Sequence, residues 1–130
     1  MATEITLGEI GQIAVYVSDL GAAKRFYGEQ LGLRHLFDAP PGMAFYQAGA
    51  TRLLLGAAPP GQSVAPPSVL QFRVADNAGA HRALEARGVR FRAPPHLVHR
   101  ASGRELWLAE FDAPDGGAHA LMEERVTPAT

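Results

Sequence analysis

Histidine is the residue type in this sequence best suited to proton transfer or metal binding at neutral pH. His96 and His99 are three positions apart, so they would point to opposite faces of a strand, whereas a turn after Pro94-Pro95 would bring them together. Glu105 or Glu110 could complete such a group. Two histidines in a loop are more often surface residues than ligands, so their role stays open.

The rest of the sequence contains no recognisable catalytic motif. There is no cysteine, and hence no thiol nucleophile, disulfide framework or thiolate zinc site. A Gly-x-Ser-x-Gly motif and a glycine-rich phosphate loop are absent as well. His81, on a predicted helix, is expected to face solvent, and the role of His35, on a short predicted strand, stays open.

Length and composition limit the class of protein. The 130 residues suffice for one domain, and 47% hydrophobic against 19% charged residues argue against disorder. The net charge of −1 lacks the basic excess of a nucleic-acid-binding protein. No apolar run approaches the roughly 18 residues of a membrane span, and the N-terminus lacks a signal-peptide pattern. We therefore expect a soluble, cytoplasmic domain without a nucleic-acid or membrane partner.

The elements that would position these residues repeat along the chain. In the first half, an apolar strand over Ile10–Val17 precedes the N-cap candidate Asp19, and a helical apolar stripe follows as far as Gly32. In the second half, a similar strand precedes Asp76, and the helix ends before Gly88. Asp19 and Asp76 are separated by nearly the same number of residues as Gly32 and Gly88, which indicates an internal repeat.

Three further strands are predicted after each helix. They are Leu33–Phe37, Ala44–Ala48 and Thr51–Leu55 in the first half, and Val89–Arg92, Glu105–Phe111 and Ala118–Glu123 in the second. A proline-rich linker, residues 57–68, separates module 1 (about 10–56) from module 2 (about 69–124). The predicted fold class is therefore α+β, with two βαβββ modules forming a mixed-sheet cleft in one domain over residues 1–130.

Several stretches match, in order, a family pattern of strand, Asp-Leu, a helix with Phe-Tyr, Leu-Gly and a final Pro-Asp-Gly turn. They are Ile13–Tyr27, Gln30–Leu33, Phe72–Asp76, Leu84–Val89 and Phe111–Met122. In the order of its strands, helices and motifs, the chain resembles the vicinal oxygen chelate superfamily, which comprises glyoxalases, bleomycin-resistance proteins and extradiol dioxygenases. The resemblance spans nearly the whole chain and implies the glyoxalase/bleomycin-resistance fold.

The resemblance also implies where a metal would bind. Enzymes of the superfamily usually hold a divalent metal with one side chain from each of four strands, and the matching positions here are Gln12, Leu54, Val69 and Ala120. Only Gln12 has an atom that can ligate, whereas a catalytic metal commonly needs three or more protein donors. His119, next to the fourth position, is expected on the helix-facing side. We therefore predict no metal and no cofactor.

Strand alternation predicts which residues line the cleft. Side chains of opposite parity to the helix-facing ones should form an apolar floor with a few polar groups, which is typical of a small-molecule site. The predicted ligand-binding residues are Gln12, Tyr16, Leu54, Val69, Gln71, Arg73, Ala120 and Met122, with Trp107 as either a stacking platform or core. Inside the cleft, Arg73 would need a partner: Glu110, Glu123 or an anionic ligand.

The inert metal positions favour a metal-independent protein that holds an apolar or aromatic ligand, resembling drug-sequestering resistance proteins. The alternative is an enzyme that performs an isomerase or lyase-type step without the usual metal ligands. It would use Tyr16, Arg73 or a histidine in place of the metal, or recruit a metal through Gln12 and His96 or His99, so the catalytic residues stay unknown. A domain that serves only for dimerisation is a third possibility. Members with two modules per chain commonly pair, so a homodimer with a small-molecule ligand is expected.

Overall fold

Residues 5–127 are described by the computed structural model, and they form eight strands and two helices with short irregular turns. In chain order the elements are β1 Gln12–Val17, α1 Leu20–Lys24 with a π-helical continuation Arg25–Gln30, β2 Arg34–Ala39, β3 Met43–Ala48, β4 Thr51–Ala57, β5 Gln71–Arg73, α2 Asn77–Ala86, β6 His96–Ala101, β7 Arg104–Asp112, a 3-10 turn Pro114–Gly116 and β8 Ala118–Val126. Residues 1–4 and 128–130, the two ends of the predicted domain, lie outside the described residues.

The strands form two four-stranded sheets of identical topology. Sheet 1 has the order β1-β4-β3-β2 and sheet 2 the order β5-β8-β7-β6. In each sheet the edge strand that precedes the helix is parallel to its neighbour, and the remaining pairs are antiparallel. The predicted repeat of two βαβββ modules and the α+β class are confirmed. No helix among residues 5–127 is long and apolar enough to cross a membrane.

The predicted helix boundaries are also confirmed. The side chain of Asp19 accepts a hydrogen bond from the backbone N–H of Ala22 at 3.0 Å, and Asp76 accepts one from Gly79 at 3.1 Å. Gly32 and Gly88, at φ of 80° and 89°, follow the last turns in the left-handed conformation that ends helices.

Each sheet has two unlike faces. We call the side that packs against a helix the helix-bearing face: it carries Ile13, Val15, Val17, Leu53 and Leu55 in sheet 1, and Phe72, Ala109, Phe111, His119 and Leu121 in sheet 2. We call the other side the open face: it carries Gln12, Ala14, Tyr16, Phe37, Phe45, Arg52 and Leu54 in sheet 1, and Gln71, Arg73, Leu106, Leu108, Glu110, Ala120, Met122 and Glu124 in sheet 2.

The two modules pack on one another through their helix-bearing faces. Phe26 and Leu31, from the first helical segment, contact both hydrophobic clusters, and the Phe26 ring lies 6.2 Å from that of Phe111. Tyr27 and His119 join the modules through a hydrogen bond of 2.8 Å. Each module thereby covers the apolar side of the other, and the open faces point outward.

One predicted strand of module 2 is wrong. The segment Val89–Arg92 forms only an isolated bridge, between Phe91 and Phe111, and the fourth strand of sheet 2 is β6. Every residue of β6 is exposed, so this strand has no alternation of buried and exposed residues that the sequence could reveal. It forms because β7 offers a long backbone edge with which it can pair.

Candidate functional site

On the open face of sheet 1, an arginine is held between a glutamine and an aromatic ring. The Nε of Arg52 donates to Oε1 of Gln12 at 2.7 Å, and its guanidinium carbon lies 5.3 Å from the centroid of the Phe45 ring. Phe45 in turn stacks on Phe37 at 4.4 Å. The guanidinium is therefore positioned by a neutral amide and by a cation–π contact.

On the open face of sheet 2, basic and acidic side chains lie in pairs. Arg73 Nη2 lies 3.0 Å from Glu124 Oε1, and His96 Nε2 lies 3.4 Å from Glu110 Oε1. The sequence predicted Glu110 or Glu123 as the acidic partner of Arg73, and the structure shows that neither of them is its partner. The partner is Glu124 because this residue shares the parity of Met122, which pairs with Arg73 in the β5–β8 ladder.

The two neighbouring histidines of β6 are brought to the same side of the sheet. His96 pairs with Leu108 and His99 with Leu106, two residues that share the open face. In a regular strand, residues three positions apart point to opposite faces. A bulge between Leu97 and His99 shifts the register by one residue, so His96 and His99 point to the same face. Of the two glutamates that the sequence offered as companions of these histidines, Glu110 lies beside His96, whereas Glu105 lies on the opposite side of the sheet.

The remaining histidines have structural contacts. His35 Nε2 lies 2.8 Å from Asp38, and this contact, together with Lys24, lowers the pKa of that carboxyl. His81 does not face solvent as predicted, because its ring packs edge-on against Phe91 with centroids 4.3 Å apart.

His119 is buried on the helix-bearing face, on the predicted side. Its Nδ1 accepts a hydrogen bond from the backbone N–H of Leu70 at 3.0 Å, so the neutral ring must carry its hydrogen on Nε2, which donates to the Tyr27 hydroxyl. Burial lowers the pKa of His119 to about 4 and raises that of Tyr27. Both groups therefore stay neutral at physiological pH and connect the two modules.

The structure distributes the predicted ligand-binding residues over two separate surfaces. Gln12, Tyr16 and Leu54 lie on the open face of sheet 1, and Gln71, Arg73, Ala120 and Met122 lie on that of sheet 2. Val69 is exposed just before β5. The predicted parity is thus right, but one chain does not bring the two open faces together, because the modules pack through the opposite faces.

Trp107 does not belong with the other predicted ligand-binding residues. It has the opposite parity, its Nε1 donates to Glu105 at 2.9 Å, and the guanidinium of Arg125 covers its ring at 4.1 Å. Its indole is therefore part of a packed cluster on the other side of β7, the structural role that the sequence left as an alternative.

A cavity of about 910 Å³ lies at the seam between the modules; we call it the seam cavity. Its walls include Ile13, Leu31, Leu53, Phe72, Leu84 and Leu121. Val69, Gln71, Arg73 and Met122, four of the predicted ligand-binding residues, line it as well. The walls therefore combine helix-bearing and open-face residues, which the sequence argument had kept apart.

Two lining residues that the sequence argument did not select are Arg52 and Arg87. Arg52 precedes Leu54 by two positions and therefore lies on the same face of β4, so strand alternation could have placed it among the predicted ligand-binding residues. Arg87 follows the last residue of α2 and looks like an ordinary exposed helix residue in the sequence. Only the packing of the modules brings this arginine to the seam cavity.

The chain belongs to the Glyoxalase/Bleomycin resistance protein/Dioxygenase superfamily, whose family model matches residues 9–121. A superfamily member from Sphaerobacter thermophilus superposes with a TM-score of 0.72 at 23% identity, covering 90% of this chain and 98% of that one. An integron cassette protein from Vibrio cholerae gives 0.75 at 20% identity, covering 93% and 98%.

A lactoylglutathione lyase from Agrobacterium tumefaciens superposes with a TM-score of 0.63 at 21% identity, covering 90% of this chain and 94% of that one. At these identities the similarities show the shared fold. No curated protein sequence matches the chain.

The metal of the superfamily does not fit the donor atoms present here. Leu54, Val69 and Ala120 have hydrocarbon side chains, and the Oε1 of Gln12 already accepts a hydrogen bond from a cationic group, Arg52. Within residues 5–127, no three His, Cys, Asp or Glu side chains are grouped so that they could hold a metal ion. A single amide oxygen beside a guanidinium is a poor ligand set for a divalent cation.

Proposed function

We propose that this protein binds an apolar or aromatic small molecule in the seam cavity without the help of a metal. The observation that carries the proposal is the cavity itself: about 910 Å³, apolar walls, and a few polar groups that include Arg52, Gln71 and Arg73. Size and lining match those of small-molecule sites in general, where apolar walls give affinity and a few polar groups orient the ligand.

A substitution that fills the cavity tests this proposal. Ala83 and Ala86 are both exposed on α2, but only Ala83 lines the seam cavity. With the neutral probe 2-naphthamide, titration calorimetry should show one saturable site in the parent protein. Ala83→Phe should weaken binding at least about tenfold and Ala86→Phe should leave it unchanged. Absence of saturable binding, or equal effects of the two substitutions, would contradict the proposal.

Metal independence has a separate test. Elemental analysis of protein purified without a chelator should find no stoichiometric zinc, nickel, iron, manganese or magnesium, because the positions equivalent to the family ligands offer only the amide of Gln12. One equivalent of any of these metals per chain would overturn this part of the proposal. Addition of each metal to the purified protein should likewise leave the thermal midpoint unchanged.

The open faces support a homodimer as the working form. The open face of sheet 1 exposes Tyr16 and Phe37 at 59% and 45%, and Val69, just before β5, is 56% exposed. β1 and β5 are edge strands with one unpaired side. Apolar patches and unpaired strand edges of this kind are commonly covered by a partner. A second copy of the chain, bringing the open face of one sheet against that of the other, would cover both.

Light scattering distinguishes the monomer from the dimer. We expect twice the chain mass of 13.8 kDa at micromolar concentration. Tyr16→Asp should shift the protein towards the monomer, because it would place a charge in the interface, whereas Arg82→Asp, on the exposed side of α2, should not. A parent protein that is monomeric at high micromolar concentration would contradict the proposed dimer.

An enzyme that works without metal is the second candidate, and the pair formed by His96 and Glu110 favours it. The Nδ1 of His96 lies 3.1 Å from the carbonyl of Pro94, an acceptor, and Nε2 faces Glu110, an arrangement that could move a proton to or from a ligand. Turnover of lactoylglutathione by metal-free protein tests it. Activity that His96→Gln and Glu110→Gln both abolish would support catalysis, and absence of turnover in the parent protein would argue against it.

A further inference from the structure

Among residues 5–127, the charged residues that line the seam cavity are all arginines. They are Arg52 from β4, Arg73 from β5 and Arg87 from the end of α2, and the described lining residues include no aspartate or glutamate. Three cations at one cavity without an acidic residue in its wall create a positive potential there. The chain as a whole carries a net charge of −1, so this concentration of positive charge is local.

The three arginines differ in how far their charge is neutralised. Arg73 forms an ion pair with Glu124 at 3.0 Å. Among residues 5–127, Arg52 and Arg87 form no ion pair with a carboxylate. Their hydrogen-bond partners are the neutral oxygens of Gln12 and of the Gln30 backbone. The cavity therefore retains two guanidinium groups that no acidic side chain of residues 5–127 balances.

Contacts with neutral groups hold both of these guanidinium groups in place. Arg87 Nη1 donates to the carbonyl of Gln30 at 3.3 Å, while the side-chain amide of Gln30 donates back to the carbonyl of Arg87 at 2.9 Å. The ends of the two helical segments are thus joined by a reciprocal pair of hydrogen bonds. Arg52 is fixed by Gln12 and the Phe45 ring. Each guanidinium has five N–H donors and uses one in these contacts, so most remain available.

We propose that the ligand of the seam cavity is an anion, namely a carboxylate carried on an apolar or aromatic body, and that Arg52 and Arg87 bind the carboxylate. This inference rests on the proposed function and adds the chemical class of the ligand. The planar guanidinium matches a carboxylate with two parallel hydrogen bonds, and such charge-assisted bonds are the stronger ones. The apolar body would occupy the space between Ile13, Phe72 and Leu121.

A pair of isosteric probes separates this inference from the proposed function. 2-Naphthoate and 2-naphthamide have the same apolar body and differ in charge. Titration calorimetry on the parent protein should show that the carboxylate binds at least about tenfold more tightly than the amide. The difference should shrink as ionic strength rises, because both arginines are exposed and salt screens exposed charges.

Variants assign the preference to particular residues. Arg52→Gln and Arg87→Gln should each reduce the affinity for 2-naphthoate about three- to tenfold and leave that for 2-naphthamide unchanged. The double variant should bind both probes equally. Arg104→Gln, exposed on β7 and outside the cavity, is the matched control for loss of one positive charge and should keep the preference. Circular dichroism verifies that all variants fold.

The outcomes are distinguishable. Equal affinity of the parent protein for both probes would overturn the preference for anions and leave small-molecule binding in place. An equal loss of 2-naphthoate affinity in Arg104→Gln would also overturn it, because net charge and not the cavity would then be responsible. Failure of both probes to bind would overturn the proposed function together with this inference.

Discussion

The helix-bearing faces and the open faces consist of alternate residues of the same strands, and they differ in burial and in how their polar groups are satisfied. On β4, Leu55 is fully buried whereas its neighbour Leu54 is only half-buried. Both ring nitrogens of the buried His119 have partners within the fold, whereas the open faces display exposed charges and aromatic rings. The helix-bearing faces therefore supply the stability, which leaves the open faces available for partners.

Adjacent leucines on β4 give the largest expected contrast. Leu55→Ala should lower the free energy of unfolding by about 2–5 kcal/mol, because it leaves a cavity in the core of module 1. Leu54→Ala should cost about 1 kcal/mol or less, since its side chain lies on the open face. Urea unfolding of both variants measures the two values, and comparable losses would show that the open face contributes to the core.

Acid should weaken the contact between the modules through His119. The pKa of His119 is lowered to about 4 in the folded chain. Between about pH 6.5 and pH 4, the unfolded chain therefore has His119 protonated, whereas the folded chain keeps it neutral. The stabilising contribution is therefore fully present above pH 6.5 and is lost as the pH falls, by about 3 kcal/mol in total.

An NMR titration of the histidine rings checks this prediction directly, and urea unfolding at pH 7 and pH 4.5 measures its effect on stability. His119→Gln should show a smaller loss of stability over that range than the parent protein. A His119 that titrates near pH 6.5 would show that the ring is not sequestered between the modules.

Two consecutive glutamates of β8 extend the contrast to charged residues. Glu123 accepts hydrogen bonds from Arg125 and from the backbone N–H of Asn77, at the start of α2, both at 2.6 Å. These bonds, with that of Arg125 the stronger cause, keep the pKa of Glu123 below its ordinary value. Glu123→Ala should cost about 1–3 kcal/mol because it leaves the buried Asn77 N–H without an acceptor. Glu124→Ala, which removes an exposed ion pair, should stay within about 1 kcal/mol. The reverse ranking in thermal unfolding would contradict this assignment of faces.

The smallest predicted difference concerns two tyrosine hydroxyls. Tyr27→Phe removes the acceptor of the His119 Nε2 hydrogen and should lower the free energy of unfolding by about 1 kcal/mol. Tyr16→Phe, on the exposed open face of sheet 1, should not change stability measurably. Equal midpoints for both variants in urea would mean that the hydroxyl of Tyr27 contributes nothing to the module contact.

Prediction from the sequence succeeded where structure depends on near neighbours and failed where it depends on distant ones. Alternation along β1 identified which residues are buried, and Asp19 and Asp76 marked the helix starts. The fully exposed β6 and the bulge that aligns His96 with His99 leave no periodic signal. The sequence left Trp107 as either a stacking platform in the ligand site or core, and its contacts with Glu105 and Arg125 give it a packed, structural role.

The sequence by itself determined the two modules, the ends of their helices and the two faces of each strand. These features follow from capping, glycine conformations and side-chain alternation, which act over a few residues. Only the tertiary structure decided that the modules pack through their helix-bearing faces, and that Arg52 and Arg87 line one cavity with Phe72. The physical reason is that these residues meet only when two separate modules bury their apolar surfaces against each other, and nothing in the local sequence around either arginine encodes that contact.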